Sequence, residues 1–254
     1  MKVLILNASP KHRSSFSAFC SSLLRLSLRR CKVNTCQLHR VQDFEKTLAL
    51  LSWADTVVIS TPLYVDAAPA HMIAFLEEAE RYCRENHIVF RLYILSNSGF
   101  IEGRQNELHL RIYEAWCRRS GAVWCGGLGI GGGVILRWMC MLTSLFAVLD
   151  TGRLIFWVQT NELTALTFLD CYGSMIVTAV MCLHPLICLW RMGGRIQCGS
   201  NCENQYTRCL MPSFIFILIS DIFMAVSALA YGQLPHRLLK RQNSKHDNER
   251  EFRL

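Results

Sequence analysis

Between Ala8 and Ser17 the chain reads Ala-Ser-Pro-Lys-His-Arg-Ser-Ser-Phe-Ser, which crowds four hydroxyls (Ser9, Ser14, Ser15, Ser17) and three basic side chains (Lys11, His12, Arg13) into one loop. Hydroxyls and the unpaired amides of a helix start are donors, and together they can hold a phosphate without a full ion pair. An ordinary Ser-capped helix start would use the same residues, and both readings stand at this point. Neither the G-x-x-x-x-G-K-S/T loop nor the G-x-G-x-x-G fingerprint is present. A second stretch, Thr61 to Pro69, stiffens a turn with Pro62 and Pro69 and sets Leu63, Tyr64 and Val65 at its tip. There Tyr64 either stacks on a planar ring or packs under the following helix. A third stretch, Ser96 to Gly103, offers amides, Asn97, Phe100 and the glycines Gly99 and Gly103. Three such loops at one place describe a flat ring that carries a phosphate.

The intervening sequence is what must bring them together. Lys2–Asn7, Cys31–Leu38, Asp55–Thr61, Val89–Ser96 and Ala122–Cys125 read as strands. Ser17–Leu28, Asp43–Ser52 with Asp43 as its N-cap, Ala70–Glu85 and Gln105–Arg119 read as helices between them. Alternation of this kind predicts a doubly wound parallel sheet, with ligands outside the carboxyl ends of the strands. The loops after the first, third and fourth strands are the three described above.

These residues resemble a known family, the flavodoxin-like NAD(P)H-dependent FMN oxidoreductases (the NADPH-dependent FMN reductases). The matching pieces are LNASPKHRSSFS, STPLYVDAAPAHMIAFLE and SNSGFIEGRQNELHLRIYEAWCRRSGAVWCGGLGIGGG, which run in order through nearly all of residues 2–133. The resemblance implies an α/β flavodoxin-like fold with a five-stranded sheet of order 2-1-3-4-5. It also implies FMN as cofactor and NAD(P)H as co-substrate, with electrons passing on to a small-molecule acceptor. On that basis Ser9, Ser15 and Ser17 hold the FMN phosphate, and Pro62, Leu63, Tyr64 and Val65 line the isoalloxazine. Asn97, Gly99 and Phe100 close its other edge. The ring carries its own redox chemistry, so no catalytic acid, base or nucleophile is expected. Two positions depart from the family pattern: Ala8 stands where glycine is usual, and Phe16 where a small hydroxyl residue is common.

Other features are weighed against this reading. The 27 basic and 19 acidic residues give a net charge of +8, spread over both halves and with no base-reading motif, so no nucleic-acid partner is expected. Thirteen scattered cysteines and an opening without a signal-like core predict a reducing, cytoplasmic setting. Cys198, Cys202 and Cys209 lack the paired spacing of a zinc site and read as free thiols. His12, His71, His87 and His109 share no metal-ligand spacing, and neither Cys117 nor Cys125 has a histidine placed as base. The glycines from Gly126 to Gly133 read as a turn at the sheet edge.

From Val134 the composition changes. Three parts follow: an FMN-binding domain over 1–133, a hydrophobic helical region over 134–235 and a basic polar tail over 236–254. Membrane spans are expected near 173–190, kinked at Pro185, and near 211–231, interrupted by Asp221. Trp157, Trp190 and Tyr231 lie near the ends of apolar runs, as interfacial aromatics do. Leu136–Leu149 and Leu154–Leu169, with Arg137 and Glu162, read as amphipathic or buried helices. Arg191, Arg195 and Arg208 fall between the two spans and oppose a simple positive-inside arrangement. The region is therefore either an anchor to the cytoplasmic membrane face or a lid or homodimer surface on a soluble enzyme. Two rival functions also stand: a flavodoxin-like electron carrier, which +5 over residues 1–133 (16 basic, 11 acidic) disfavours, and a membrane-held module that has lost its flavin.

Overall fold

Val3, Leu4, Ile5 and Leu6 are all sealed from solvent, as a strand covered on both faces requires. They belong to β1 (Lys2–Asn7), which lies inside a wholly parallel sheet of order β2-β1-β3-β4-β5-β6. The remaining strands are β2 (Lys32–Gln37), β3 (Thr56–Pro62), β4 (Arg91–Asn97), β5 (Val123–Ile130) and β6 (Gln205–Thr207). The expected order 2-1-3-4-5 is present, with a sixth strand added at the edge from within the stretch 134–235 expected to be helical. These findings come from a computed structural model that describes residues 1–11, 15–64, 67–159, 164–208, 210–230 and 232.

Helices α1 (Phe16–Ser27), α2 (Phe44–Trp53), α3 (Ala70–Glu85) and α4 (Glu107–Ser120) connect the strands. Leu4, Leu6, Val57, Ile59, Leu92 and Ile94 face α2, α3 and α4 in one continuous core with Phe44, Phe75, Tyr113 and Trp116. Each large side chain fully buried there contributes roughly 1.5–3 kcal/mol. Asp43 precedes α2, but its carboxylate does not cap the helix. It turns back to accept from the amides of His39 (2.9 Å) and Arg40 (3.0 Å), which hold it below the usual carboxylate range.

The glycine run corrects the sequence reading. Gly126, Gly127 and Gly129 lie within β5, not in a turn. A Cβ on Gly129 would stand 2.8 Å from the Gly103 carbonyl, and one on Gly127 would stand 2.7 Å from Leu110 Cδ2. Glycine is needed there because the connection into α4 lies directly on the strand.

After β5 the chain forms α5 (Gly133–Gln159) and α6 (Ala165–Cys198), which pack together, and then returns to the sheet as β6. The end of α6 lies on α1: a Cβ on Gly193 would collide with Ser27 Oγ, and the Gln197 amide donates to the Ser27 carbonyl. Gly199–Cys202 is fastened to the sheet as well, with the Tyr93 hydroxyl donating to the Ser200 carbonyl at 2.8 Å. Arg191 and Arg195 are thus part of α6 at its sheet-side end, and Arg208 pairs with Glu102 at 3.1 Å. None of them lies in a loop remote from the sheet. Pro185 lies inside α6.

Helix α5 contains the whole of Leu136–Leu149 and the start of Leu154–Leu169, whose remainder lies partly outside the described residues and partly in α6. Phe146, Val148, Leu149, Ile155 and Phe156 stand exposed on α5. Among the described residues, three helices are long and apolar enough to cross a membrane: Ile135–Gln159, Met175–Cys198 and Ser213–Ala230. Residues 1–210 make one compact unit, and the last of these helices, α7 (Ser213–Ala230), belongs to a second that begins at Met211.

Candidate functional site

Because every strand pair is parallel, the loops after β1, β3 and β4 leave from one edge, where strand ends are joined in register. Asn7 lies beside Ser60, Pro62 beside Asn97, and Asn97 beside Ile130. Each of these strands ends in polar residues after an apolar run, which sets donors and acceptors at that edge.

In the first loop, the Ala8 amide donates to the Ser60 carbonyl at 2.9 Å and the Ser9 amide to Asn7 Oδ1 at 3.2 Å, so the chain turns sharply without needing glycine at position 8. Ser9 is buried. Ser15 is the N-cap of α1, its Oγ accepting from the Ala18 amide at 3.1 Å. Ser17 is fixed to both neighbouring strands: its carbonyl accepts from the Ser60 hydroxyl at 2.9 Å, and its own Oγ accepts from the Asn97 amide at 2.8 Å. With those acceptor positions filled, the protons of Ser15 and Ser17 are left to donate, beside first-turn amides that have no acceptor within the helix. That is the donor set an anion requires.

Phe16 does not fill this loop. Its ring lies on Gly133, where an added Cβ would stand 2.8 Å from it, and meets Phe19 with centroids 5.9 Å apart. The side chain that departs from the family pattern is therefore the one that seats the appended helices.

At the β3 end, Pro62 and Leu63 are buried and the Leu63 amide donates to the Asn97 carbonyl at 2.7 Å. Tyr64 stands 41% exposed on a tight turn closed by reciprocal backbone bonds with Ala67, both 3.0 Å. Val65 lies outside the described residues, as do His12, Arg13 and Ser14. At the β4 end, Phe100 is 51% exposed, and a Cβ on Gly99 would meet nothing within 4 Å. Tyr64 and Phe100 are thus exposed aromatic rings on two loops of the same sheet edge, the kind of side chain that can stack on a planar heterocycle. The 98–100 loop is held by the start of α5, through the Gly133 amide on the Ser98 carbonyl (3.0 Å) and the Gly132 amide on the Phe100 carbonyl (2.5 Å).

Sequence reasoning did not reach the supports. His71, at the start of α3, lies 3.2 Å from the Ala8 carbonyl through Nε2, and burial lowers its pKa. Below the 98–100 loop, the Ser96 hydroxyl contacts Asn106 Oδ1 (2.6 Å) and His109 Nδ1 (2.7 Å), while the Asn106 amide reaches Gly103 (2.9 Å) and Ser98 (3.3 Å). His109 is fully buried and its pKa is held down to about 4 by that burial. The two histidines sit on separate helices, α3 and α4, and among the described residues no three His, Cys, Asp or Glu side chains gather as a metal set. Cys117 is buried, and burial is the main cause that pushes its thiol up to about 12, which suits a core residue and not a nucleophile. Cys202 turns to the Cys125 carbonyl at 3.1 Å, and Cys209 lies outside the described residues.

Residues 1–84 match the family model described as flavodoxin-like fold. None of the curated proteins matches the chain. Among solved structures, an NADPH-quinone reductase from P. pentosaceus is similar at 19% identity over 52% of this chain and 86% of that one, with a TM-score of 0.43. An NAD(P)H:quinone oxidoreductase from Methanothermobacter marburgensis is similar at 17% identity (52% and 84%, TM-score 0.41). An azoreductase from Bacillus anthracis is similar at 16% identity (52% and 87%, TM-score 0.38). The family match and the strand order bear out the resemblance at the level of the fold: the amino-terminal part is flavodoxin-like.

Proposed function

We propose that this chain, flavodoxin-like in its amino-terminal part, is an NAD(P)H-dependent FMN oxidoreductase held at the cytoplasmic face of a membrane. The observation that carries the reading is the meeting of Ser15, Ser17 and Asn97 at one sheet edge, beside the open side of Gly99. FMN, when bound, supplies a ring that accepts a hydride and passes electrons on to a small-molecule acceptor. The chain's part is to bind and to orient. Ser9, Ser15 and Ser17 donate to the phosphate, and Asn97 keeps the Ser17 hydroxyl turned outward. Pro62, Leu63, Tyr64 and Val65 line one side of the ring, and Gly99 and Phe100 the other.

Helices α5 and α6 support the membrane reading by having polar groups between them and apolar groups outside. The Thr143 hydroxyl donates to Thr178 at 2.7 Å across the pair, and within α5 the buried Asp150 carboxylate is neutralised by the half-exposed Arg153 at 3.2 Å. Outward stand Leu145, Val148, Leu149, Val177, Val180 and Leu183. Trp138 and Trp157 are separated along α5 by roughly 28 Å at 1.5 Å per residue, close to the ~30 Å of a hydrocarbon layer. Arg137 and Arg191 fall at the sheet-side ends of the pair, where a cytoplasmic face would retain them.

The test is an absorbance spectrum of detergent-purified protein before and after NADPH. A yellow protein that bleaches supports the enzyme. A flavin that is bound but untouched by NADPH or NADH points to an electron carrier, and a colourless protein that takes up no FMN points to a module without flavin.

A further inference from the structure

We propose that Cys140 and Cys182 form a redox-active dithiol, which closes to a disulfide between α5 and α6 when a hydroperoxide reaches it. Their sulfurs lie 3.6 Å apart on facing helices. About one turn further along, the Thr143–Thr178 hydrogen bond of 2.7 Å holds the two helices in register, so the pair is presented by a fixed frame. A disulfide needs its sulfurs about 2.05 Å apart, so closing this gap is a matter of roughly 1.5 Å, the scale of a side-chain rotation. Both thiols line a cavity of about 180 Å³ with Phe16, Phe19, Cys20 and Leu136, which gives the side chains room to turn. Cys140 is only half-buried, and it also borders the cleft between α1 and α5, so an oxidant can approach it.

The step balances with a hydroperoxide as the named oxidant. The Cys140 thiolate attacks the peroxide oxygen, the O–O bond breaks, and an alcohol (water, from hydrogen peroxide) leaves with a sulfenic acid formed on Cys140. The Cys182 sulfur then displaces water from that sulfur. Two S–H bonds are lost and one S–S bond is made, with two electrons and two protons passing to the peroxide. Cys20 lines the same cavity and is the competing partner.

The experiment treats the full-length protein in detergent with hydrogen peroxide, alkylates the remaining thiols and maps peptides by mass spectrometry. The expected result is a linked pair containing Cys140 and Cys182, loss of alkylation at both, and recovery of both with dithiothreitol. Cys140→Ser and Cys182→Ser each abolish the link, whereas Cys20→Ser leaves it. Persistent alkylation of both thiols after peroxide, or a link that contains Cys20 in place of either, overturns the proposal. The wild-type map decides the matter by itself if a serine variant fails to fold.

Discussion

Asn97, the last residue of β4, donates its amide to Ser17 Oγ at 2.8 Å and to the Thr61 carbonyl at 3.2 Å, tying the start of α1 to two strands through one side chain. Asn97→Ala removes both bonds and frees the Ser17 side chain to rotate. On the proposed reading, FMN affinity falls about tenfold, the scale of one buried hydrogen bond. Fluorescence titration of the stripped protein measures it, and an unchanged Kd would show that this clamp does not position a phosphate donor.

Charge tests the same loop from the other side. Ser9→Asp places a carboxylate where the proposal puts a phosphate, so the purified variant is expected to be colourless. Ser15→Ala removes the N-cap of α1 and is expected to cost about 1 kcal/mol of stability, read as a fall in urea midpoint. A Ser9→Asp protein that keeps its flavin argues against phosphate at this loop.

Two glycines should part company. A Cβ on Gly103 would meet the Thr207 carbonyl at 2.2 Å and the Gly129 carbonyl at 2.5 Å, both rigid backbone, whereas one on Gly99 meets nothing within 4 Å. Gly103→Ala is therefore expected to destabilise by about 2 kcal/mol or more as the edge of the sheet shifts, and Gly99→Ala by less than about 0.5 kcal/mol. Equal melting temperatures for the two variants would contradict the packing described.

Acid should weaken the fold through His109. Unfolded, its imidazole takes a proton near 6.5; folded, burial holds the pKa to about 4. Between those values the unfolded chain binds more protons, so this contribution is complete above pH 6.5 and is lost as pH falls towards 4. It amounts to about 3 kcal/mol, and lowered His71 adds to it with the same sign. Urea midpoints at pH 7.5 and pH 4.5 measure the loss, and His109→Gln is expected to flatten most of it.

Val148 is 72% exposed on α5. In water Val148→Arg is nearly neutral, but at depth in lipid arginine costs about 2.5–3.5 kcal/mol. The variant is expected to lose carbonate-resistant membrane association that the wild type has. A wild type found wholly in the soluble fraction rejects the anchor.

What was legible in the sequence depended on how local its cause is. Lys2–Asn7 and Ala70–Glu85 appear at the bounds read from periodicity, since an apolar run and a 3.6-residue stripe are properties of the segment alone. The three loops were found for the same reason, each following a recognisable strand. Ser60 and His71 escaped because their partners lie far along the chain, and one sequence does not reveal such pairings. The glycines of β5 misled because small residues chosen for close contact look like those chosen for a turn.

Ile130 and Thr207 are neighbours across the sheet although seventy-odd positions of sequence separate them, so the greasy hairpin is an insertion between two adjacent strands. Cutting the gene at Gly133 to obtain a water-soluble half would strip the outermost strand and bare the hydrogen-bonding rim of β5, inviting sticky intermolecular pairing. Because β6 runs parallel to β5, no tight turn can replace the hairpin; a crossover must remain, and the end of α6 from Gly193 to Cys202, already seated on α1 and the sheet, is the part to keep.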